Sequence, residues 1–183
     1  RDRANLAQRV SYNWRKIPVP VIMVIQGRCW GGGLQIALGA DFRFVHSDAS
    51  LSVMEGKWGL IPDMGGNLVL REVVSKDVAM RLAMTAEVIK APTALDVGLV
   101  TSISDNPLQD AMLLIESITD RSPDAIAAVK KLYHKTWFGP QWLMLARESW
   151  YQLRIILGKN QQRAVKKQLD PEKNTAFLPR KKW

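Results

Sequence analysis

A single cysteine, Cys29, and two histidines, His46 and His134, are all that this 183-residue chain offers in thiol and imidazole groups. One thiol excludes an intrachain disulfide framework and fits a reducing compartment, so a cytoplasmic location is expected. Two isolated histidines make no ligand cluster; neither a metal nor a bound cofactor is implied. No apolar stretch approaches the roughly 20 residues that cross a bilayer. Arg1-Asp2-Arg3 leads into mixed polarity and not into an apolar h-region, so there is no signal-peptide pattern. Acid is scarce: 17 carboxylate residues face 26 lysines and arginines, a formal charge of +9. No internal repeat is visible, and no low-complexity tract apart from a basic C-terminal segment. With 47% hydrophobic residues the chain can bury a real core, as one domain or as a domain with an appendage.

Two glycine-centred blocks twenty positions apart stand out against this background. The first runs from Ile25 through Gly27, Cys29 and the triplet Gly31-Gly32-Gly33 to Gln35. The second runs from Met54-Glu55-Gly56 through Gly59-Leu60-Ile61-Pro62-Asp63 to Gly65-Gly66. Val19 to Ile25 is an apolar run rich in β-branched residues with Pro18 and Pro20 at its start, the pattern of a buried strand. Gly27 ends it, and the triplet precedes a helical run from Leu34 to Ala40. A strand, a glycine turn and a helix start form a short anion site. The first N–H groups of a helix lack acceptors within it and carry the positive end of its dipole, and glycine lets a ligand come close. Alone, the triplet is more often a tight turn, and Glu55 beside Gly56-Lys57 reads as readily as a solvated loop acid.

Together the two blocks resemble the active-site core of the crotonase family, the enoyl-CoA hydratase/isomerase superfamily. Ala91 to Val100 resembles that family's recurrent A-x-x-x-G-L-V turn. The resemblance implies an α/β fold: part of a crotonase-like ββα spiral core over residues 1–104, then an α-helical C-terminal oligomerisation region with a basic tail over 105–183. It also implies that the N-terminal part of the family fold is absent, so that this chain alone exposes core surface and is not active unaided. The substrate implied is an acyl-CoA thioester of fatty-acid metabolism, CoA being part of the substrate and not a prosthetic group. Gly32 would donate its backbone N–H to the thioester oxygen, an oxyanion-hole bond worth roughly 3 kcal/mol of barrier. Glu55 would be the general acid/base. Hydratases of the family carry a second glutamate where this chain has Gln35. An amide can orient a water or a substrate but does not accept and return a proton as a carboxylate does. Gln35 is therefore expected to position substrate or water, or simply to hydrogen-bond backbone, and it favours double-bond isomerisation over hydration. Asp63 stands where dienoyl-CoA isomerases carry a catalytic aspartate and would assist Glu55; following Pro62, it reads equally as a helix N-cap.

Elsewhere the pattern predicts a helix over 2–15, strands over 42–46 and 51–53, helices over 67–74 and 77–85, a short helix capped by Thr93 and ended by Gly98, and a last strand over 100–103. His46, before the Ser47-Asp48 turn, reads as a surface residue, and Cys29 as a small packing residue more than a reactive thiol. Asn106-Pro107 marks the boundary to the helical part. There Leu108, Ala111, Met112, Ile115 and Ile118 form an apolar stripe, Ser122-Pro123-Asp124 starts a helix to about Trp137, and Gln141 to Leu157 is apolar on more than one side. The last feature, with the family's habit, implies a homotrimer or dimer of trimers. From Lys159 on, eight basic residues (Lys159, Arg163, Lys166, Lys167, Lys173, Arg180, Lys181, Lys182) face Asp170 and Glu172, so this segment holds six of the nine net charges. A solvated tail is the plain reading, and Phe177 before Arg180-Lys181-Lys182 is compatible with a place near CoA's adenine end. The alternative is a non-catalytic or RNA-binding crotonase-fold module that uses the tail; nucleic acid is otherwise not an expected partner.

Overall fold

The computed structural model describes residues 4–173 and 175–181. They form two compact units. The first comprises the described residues up to Ile17 together with Val21–Leu113; the second comprises Pro18–Pro20 and the described residues from Leu114 on. The division falls inside a helix, past the Asn106-Pro107 signal. Pro18–Pro20 belong with the second unit, where the buried Lys130 ammonium donates to the Val19 carbonyl at 2.9 Å.

In the first unit, helix α1 (Leu6–Tyr12) is followed by a 3-10 turn over Asn13–Lys16. The helix predicted over 2–15 thus starts later among the described residues, because a capping box closes its end: Gln8 N–H donates to Asn5 Oδ1 at 2.9 Å, and Asn5 N–H to Gln8 Oε1 at 3.0 Å. Asp2, Arg3 and Lys182 lie outside the described residues. Then come β1 (Ile22–Ile25), β2 (Arg28–Trp30), α2 (Gly32–Leu38), β3 (Phe42–His46), β4 (Ser50–Ser52), α3 (Gly66–Val73), α4 (Lys76–Thr85), β5 (Ile89–Lys90), α5 (Ala91–Asp96) and β6 (Ser102–Ser104).

These strands build two sheets of three. One is all parallel in the order β1-β3-β6, with Ile22 opposite Phe42 and Phe44 opposite Ser102. The other has the order β2-β4-β5, with β2 and β4 parallel, Arg28 opposite Ser50, and β5 antiparallel to β4. Two turns of chain, β1-β2-α2 and β3-β4-α3, each lay one strand in the first sheet and the next in the second and return through a helix; the last lays β5 in the second sheet and, after α5, β6 in the first. That is the ββα spiral the resemblance implies. Between the helices and sheets lies a core that includes Leu34, Leu38, Val45, Leu51, Leu70, Leu82, Ile89 and Leu99.

Several expectations are corrected here. Arg28–Trp30, read as part of a glycine turn, is a strand; its three residues are too few to show alternation, and its partner lies 22 positions on in the chain. The strand before it is shorter than predicted, since Pro18 and Pro20 cannot donate to a ladder and the Val21 N–H goes to Asp41 Oδ2 at 2.7 Å. Thr93 is no cap: Lys90 occupies that position, and Pro92 sits in the first turn of α5. Asp63 is no cap either, because α3 begins after Gly65, whose φ of +87° suits glycine. The last strand starts two residues later than predicted, with Leu99 and Val100 already buried ahead of it.

Helices α6 (Pro107–Thr119), α7 (Pro123–Thr136), α8 (Gln141–Ile156) and α9 (Lys159–Leu169) follow. Of the stripe read on α6, Ala111 is buried, whereas Leu108, Met112 and Ile115 are exposed. In the second unit α7 packs on α8 and α8 on α9. The basic segment is not a freely solvated tail. Buried Asp124 accepts from Lys181 N–H at 2.7 Å and from Asn160 Nδ2 at 3.0 Å. Asn160 also brackets Leu178, donating to its carbonyl at 3.1 Å and accepting its N–H at 2.8 Å. Lys167 pairs with Asp120 and lies 5.4 Å from the Phe177 ring centre.

Candidate active site

The two glycine-centred blocks meet because β2 and β4 are parallel neighbours. Trp30 stands opposite Ser52, so the segments leaving both strands emerge at the same sheet end. At such carboxyl ends of parallel strands, loops are free to build a ligand site. Gly31 N–H donates to the Ser52 carbonyl at 2.9 Å, which ties the two exits together. Gly31 has φ +53° and ψ −126°, a backbone state closed to residues with a Cβ, and from it the chain enters α2 at once. Gly32 is the first residue of α2, so its N–H has no acceptor within that helix.

After β4 the chain tightens into a 3-10 turn, Met54–Trp58, that is closed by Gly59 at φ +70°. This turn carries Glu55 inward. A Cβ at Gly56 would come within 2.6 Å of the Ala83 carbonyl, so only glycine lets the turn lie this close to α4. Glu55 is 9% exposed and Gln35, on α2, is 2% exposed. Gln35 Nε2 donates to Glu55 Oε1 at 2.6 Å. Gln35 Oε1 in turn accepts the backbone N–H of Met64 at 2.8 Å and of Gly66 at 3.3 Å. Glu55 Oε2 is buried and has no hydrogen-bond partner among the described residues. A Cβ added at Gly31 would lie 3.6 Å from Glu55 Oε1, and one at Gly32 3.0 Å from Met64 Sδ.

Gly32, Gln35 and Glu55 are thus brought together. Asp63 stands apart: it is exposed, belongs to the loop before α3, and lines a cleft of about 350 Å³ with Gln8, Tyr12 and Leu68. Its chain neighbour Met64 supplies a backbone N–H to Gln35, whereas the Asp63 carboxylate takes no part in the Gln35–Glu55 bonds. The sequence reading missed the backbone donors of Met64 and Gly66. The Gly65-Gly66 pair was their only trace, and nothing local in it points to a side chain some thirty positions away. A larger cleft of about 600 Å³ runs from Gly56 between α3 and α4, lined by Leu60, Ile61, Leu70, Met80 and Met84. Cys29 is half-buried on β2, and burial pushes its thiol up to about 11. Among the described residues no group of three histidine, cysteine or acidic side chains could hold a metal, and no helix is long and apolar enough to cross a membrane.

Known proteins resemble this chain in sequence and in fold. The carnitinyl-CoA dehydratase of Salmonella agona (strain SL483) is 36% identical over 119 residues, 64% of this chain and 46% of that protein. An enoyl-CoA hydratase from Polaromonas sp. JS666 superposes with a TM-score of 0.83 at 27% identity, covering 91% of this chain and 65% of that one. A putative enoyl-CoA hydratase from Thermobifida fusca YX, solved in complex with CoA, gives a TM-score of 0.76 at 25% identity over 79% of this chain and 57% of that one. The chain spans less than half the length of the curated relatives it matches. The family model for enoyl-CoA hydratase/isomerase matches residues 2–168, nearly the whole chain. With its ββα spiral and paired glycine blocks, this chain belongs to the enoyl-CoA hydratase/isomerase family.

Proposed function

We propose that the protein containing this chain processes acyl-CoA thioesters through an enolate, with Glu55 as the acid/base that moves a proton along the acyl chain. The observation that supports this reading is the state of Glu55: a buried carboxylate bonded at one oxygen only, beside a glycine turn that opens a helix. A buried carboxylate oxygen without a partner is costly, and a substrate C–H placed against it would give that cost a use. The Gly32 N–H would take the thioester oxygen as charge develops there, a donor already in place. The apolar cleft that begins at Gly56 suits the acyl chain; its volume is that of a small-molecule site, and Arg71 and Lys76 also line it. Asp63 would act from the rim, assisting proton transfer at the far end of a longer or doubly unsaturated chain. Because Gln35 is an amide, a single carboxylate serves the site, and double-bond isomerisation of an enoyl-CoA is favoured over hydration. Assembly as a trimer or dimer of trimers and a place in fatty-acid metabolism belong to the same proposal.

The test compares the native protein with Glu55→Gln on 2-enoyl-, 3-enoyl- and dienoyl-CoA thioesters, following products by mass and absorbance. Migration of the double bond at constant mass is expected, with a loss of about 10³-fold in Glu55→Gln, as for removal of an essential acid/base. A gain of the mass of water that depends on Glu55 would mean hydration. Turnover that survives in Glu55→Gln would remove Glu55 from the mechanism.

A further inference from the structure

We propose that Gln35 is the positioning residue of Glu55, and that it reserves one carboxylate oxygen, Oε2, as the atom that carries the proton. This rests on the reading of Glu55 as the proton-transferring group. The orientation of the Gln35 amide is dictated by its neighbours. Backbone N–H groups only donate, so those of Met64 and Gly66 require the amide oxygen on their side. A carboxylate only accepts, so the NH₂ must face Glu55 Oε1. Flipping the amide would set two donors against the Met64 and Gly66 amides and oxygen against oxygen at Glu55. The oxygen of Gln35 is taken twice over by backbone, and the side chain is almost wholly buried. It therefore acts through Glu55 and not on the substrate.

The consequence for Glu55 is an asymmetry between its oxygens. Oε1 is held at 2.6 Å by Gln35 and stands 3.6 Å from where a Cβ on Gly31 would lie, whereas Oε2 is buried and unpartnered among the described residues. In the step, the substrate C–H bond breaks and its proton forms an O–H bond at Oε2. The electron pair of that bond passes into the enolate, whose charge rests on the thioester oxygen. The same O–H then returns the proton to another carbon of the chain as the electron pair shifts back. Gln35 keeps its bond to Oε1 throughout, so the carboxylate does not rotate between taking the proton and returning it. Gly66 is part of the device, because a Cβ there would stand 2.8 Å from Gln35 Cγ.

The experiment uses the native protein and a 3-enoyl-CoA. It measures kcat, KM, thermal midpoint and deuterium uptake from D₂O at the substrate α-carbon for wild type, Gln35→Met, Gly66→Ala and Glu55→Gln. Gln35→Met keeps the shape and removes the amide. It is expected to lower kcat and exchange by about ten- to a hundredfold, as a misplaced catalytic group does, with KM nearly unchanged. Gly66→Ala replaces glycine by the better helix former at the first residue of α3, so the fold should persist while Gln35 is pushed aside. The same fall in kcat is expected. A folded Gln35→Met with wild-type kcat overturns the proposal, and so does a variant whose KM rises while kcat holds, since Gln35 would then touch substrate. If Gln35→Met does not fold, an unchanged kcat in Gly66→Ala overturns it. An active Glu55→Gln, or a wild type without turnover or exchange, sinks the underlying reading of Glu55. An inactive Glu55→Gln beside an unaffected Gln35→Met sinks only the role of Gln35.

Discussion

Cys29 lies one strand residue before Trp30 and two before the glycine turn, close to the proposed chemistry, yet it is a poor nucleophile. Burial holds its thiol at about 11, above the roughly 8.5 of a free cysteine. Below pH of about 8.5 the thiol is protonated in the folded and unfolded states alike, and its contribution to stability is fully present. Between there and 11 the unfolded chain ionises first, so that contribution is lost as pH rises. Urea unfolding of wild type and Cys29→Ala at pH 8 and pH 10 should therefore show a steeper alkaline loss in wild type. Iodoacetamide at pH 8 should label Cys29 at least about tenfold more slowly than a free thiol, because the thiolate is the reacting form. Equal slopes and rapid labelling would mean the thiol is not held down. The contrast with Gln35 and Glu55 is one of legibility. Cys29 as a small packing residue was legible in the sequence, although the strand that carries it was not. The Gln35–Glu55 bond was not legible, since it depends on the register of β2 against β4 and on two backbone amides from a third segment.

Among the elements, short ones decide most. β2 and β5 have three residues and two, and each exists because a partner strand fixes it, not because its own residues demand extension. The long helices behave in the opposite way: α3, α4, α7 and α8 fall within one or two residues of the limits their periodicity predicts. The C-terminal segment shows the same dependence on partners. Its charge reads as solvated, but Asp124 and Asn160 hold its backbone at Leu178 and Lys181. Asp124→Ala removes a charged acceptor for two donors and should cost about 1–3 kcal/mol of local stability. Limited trypsin digestion should then cut at Arg180 and Lys181 markedly faster than in wild type, while the rest of the chain keeps its resistance. Equal cutting rates would show that these bonds do not hold the segment.

For the whole molecule, the uncovered apolar surface matters most. On α8 the inward face carries Leu143, Arg147, Tyr151 and Ile155, while Trp142, Leu145, Trp150, Leu153 and Ile156, with Leu157 just past the helix end, are exposed. Trp142 is 68% exposed and Leu157 72%, more than a monomeric surface helix ordinarily shows in one row. The self-association proposed for this protein would cover them. Leu145→Lys combined with Leu153→Lys should lower the oligomer seen by sedimentation velocity to monomer while leaving the helical circular dichroism unchanged; an unaltered oligomer would place the interface elsewhere. The sequence by itself determined the family, most of the helices and the longer strand of the spiral, and it singled out Gly32, Gln35 and Glu55 as candidates. Those depend on local signals: glycine at positive φ, apolar periodicity and motif spacing. Only the tertiary structure decided that Gln35 faces Glu55, that Asp63 stays outside their bonds, and that the basic segment is strapped down. These turn on the register of parallel strands and on backbone donors far away in the chain, and neither leaves a mark in any one stretch of sequence.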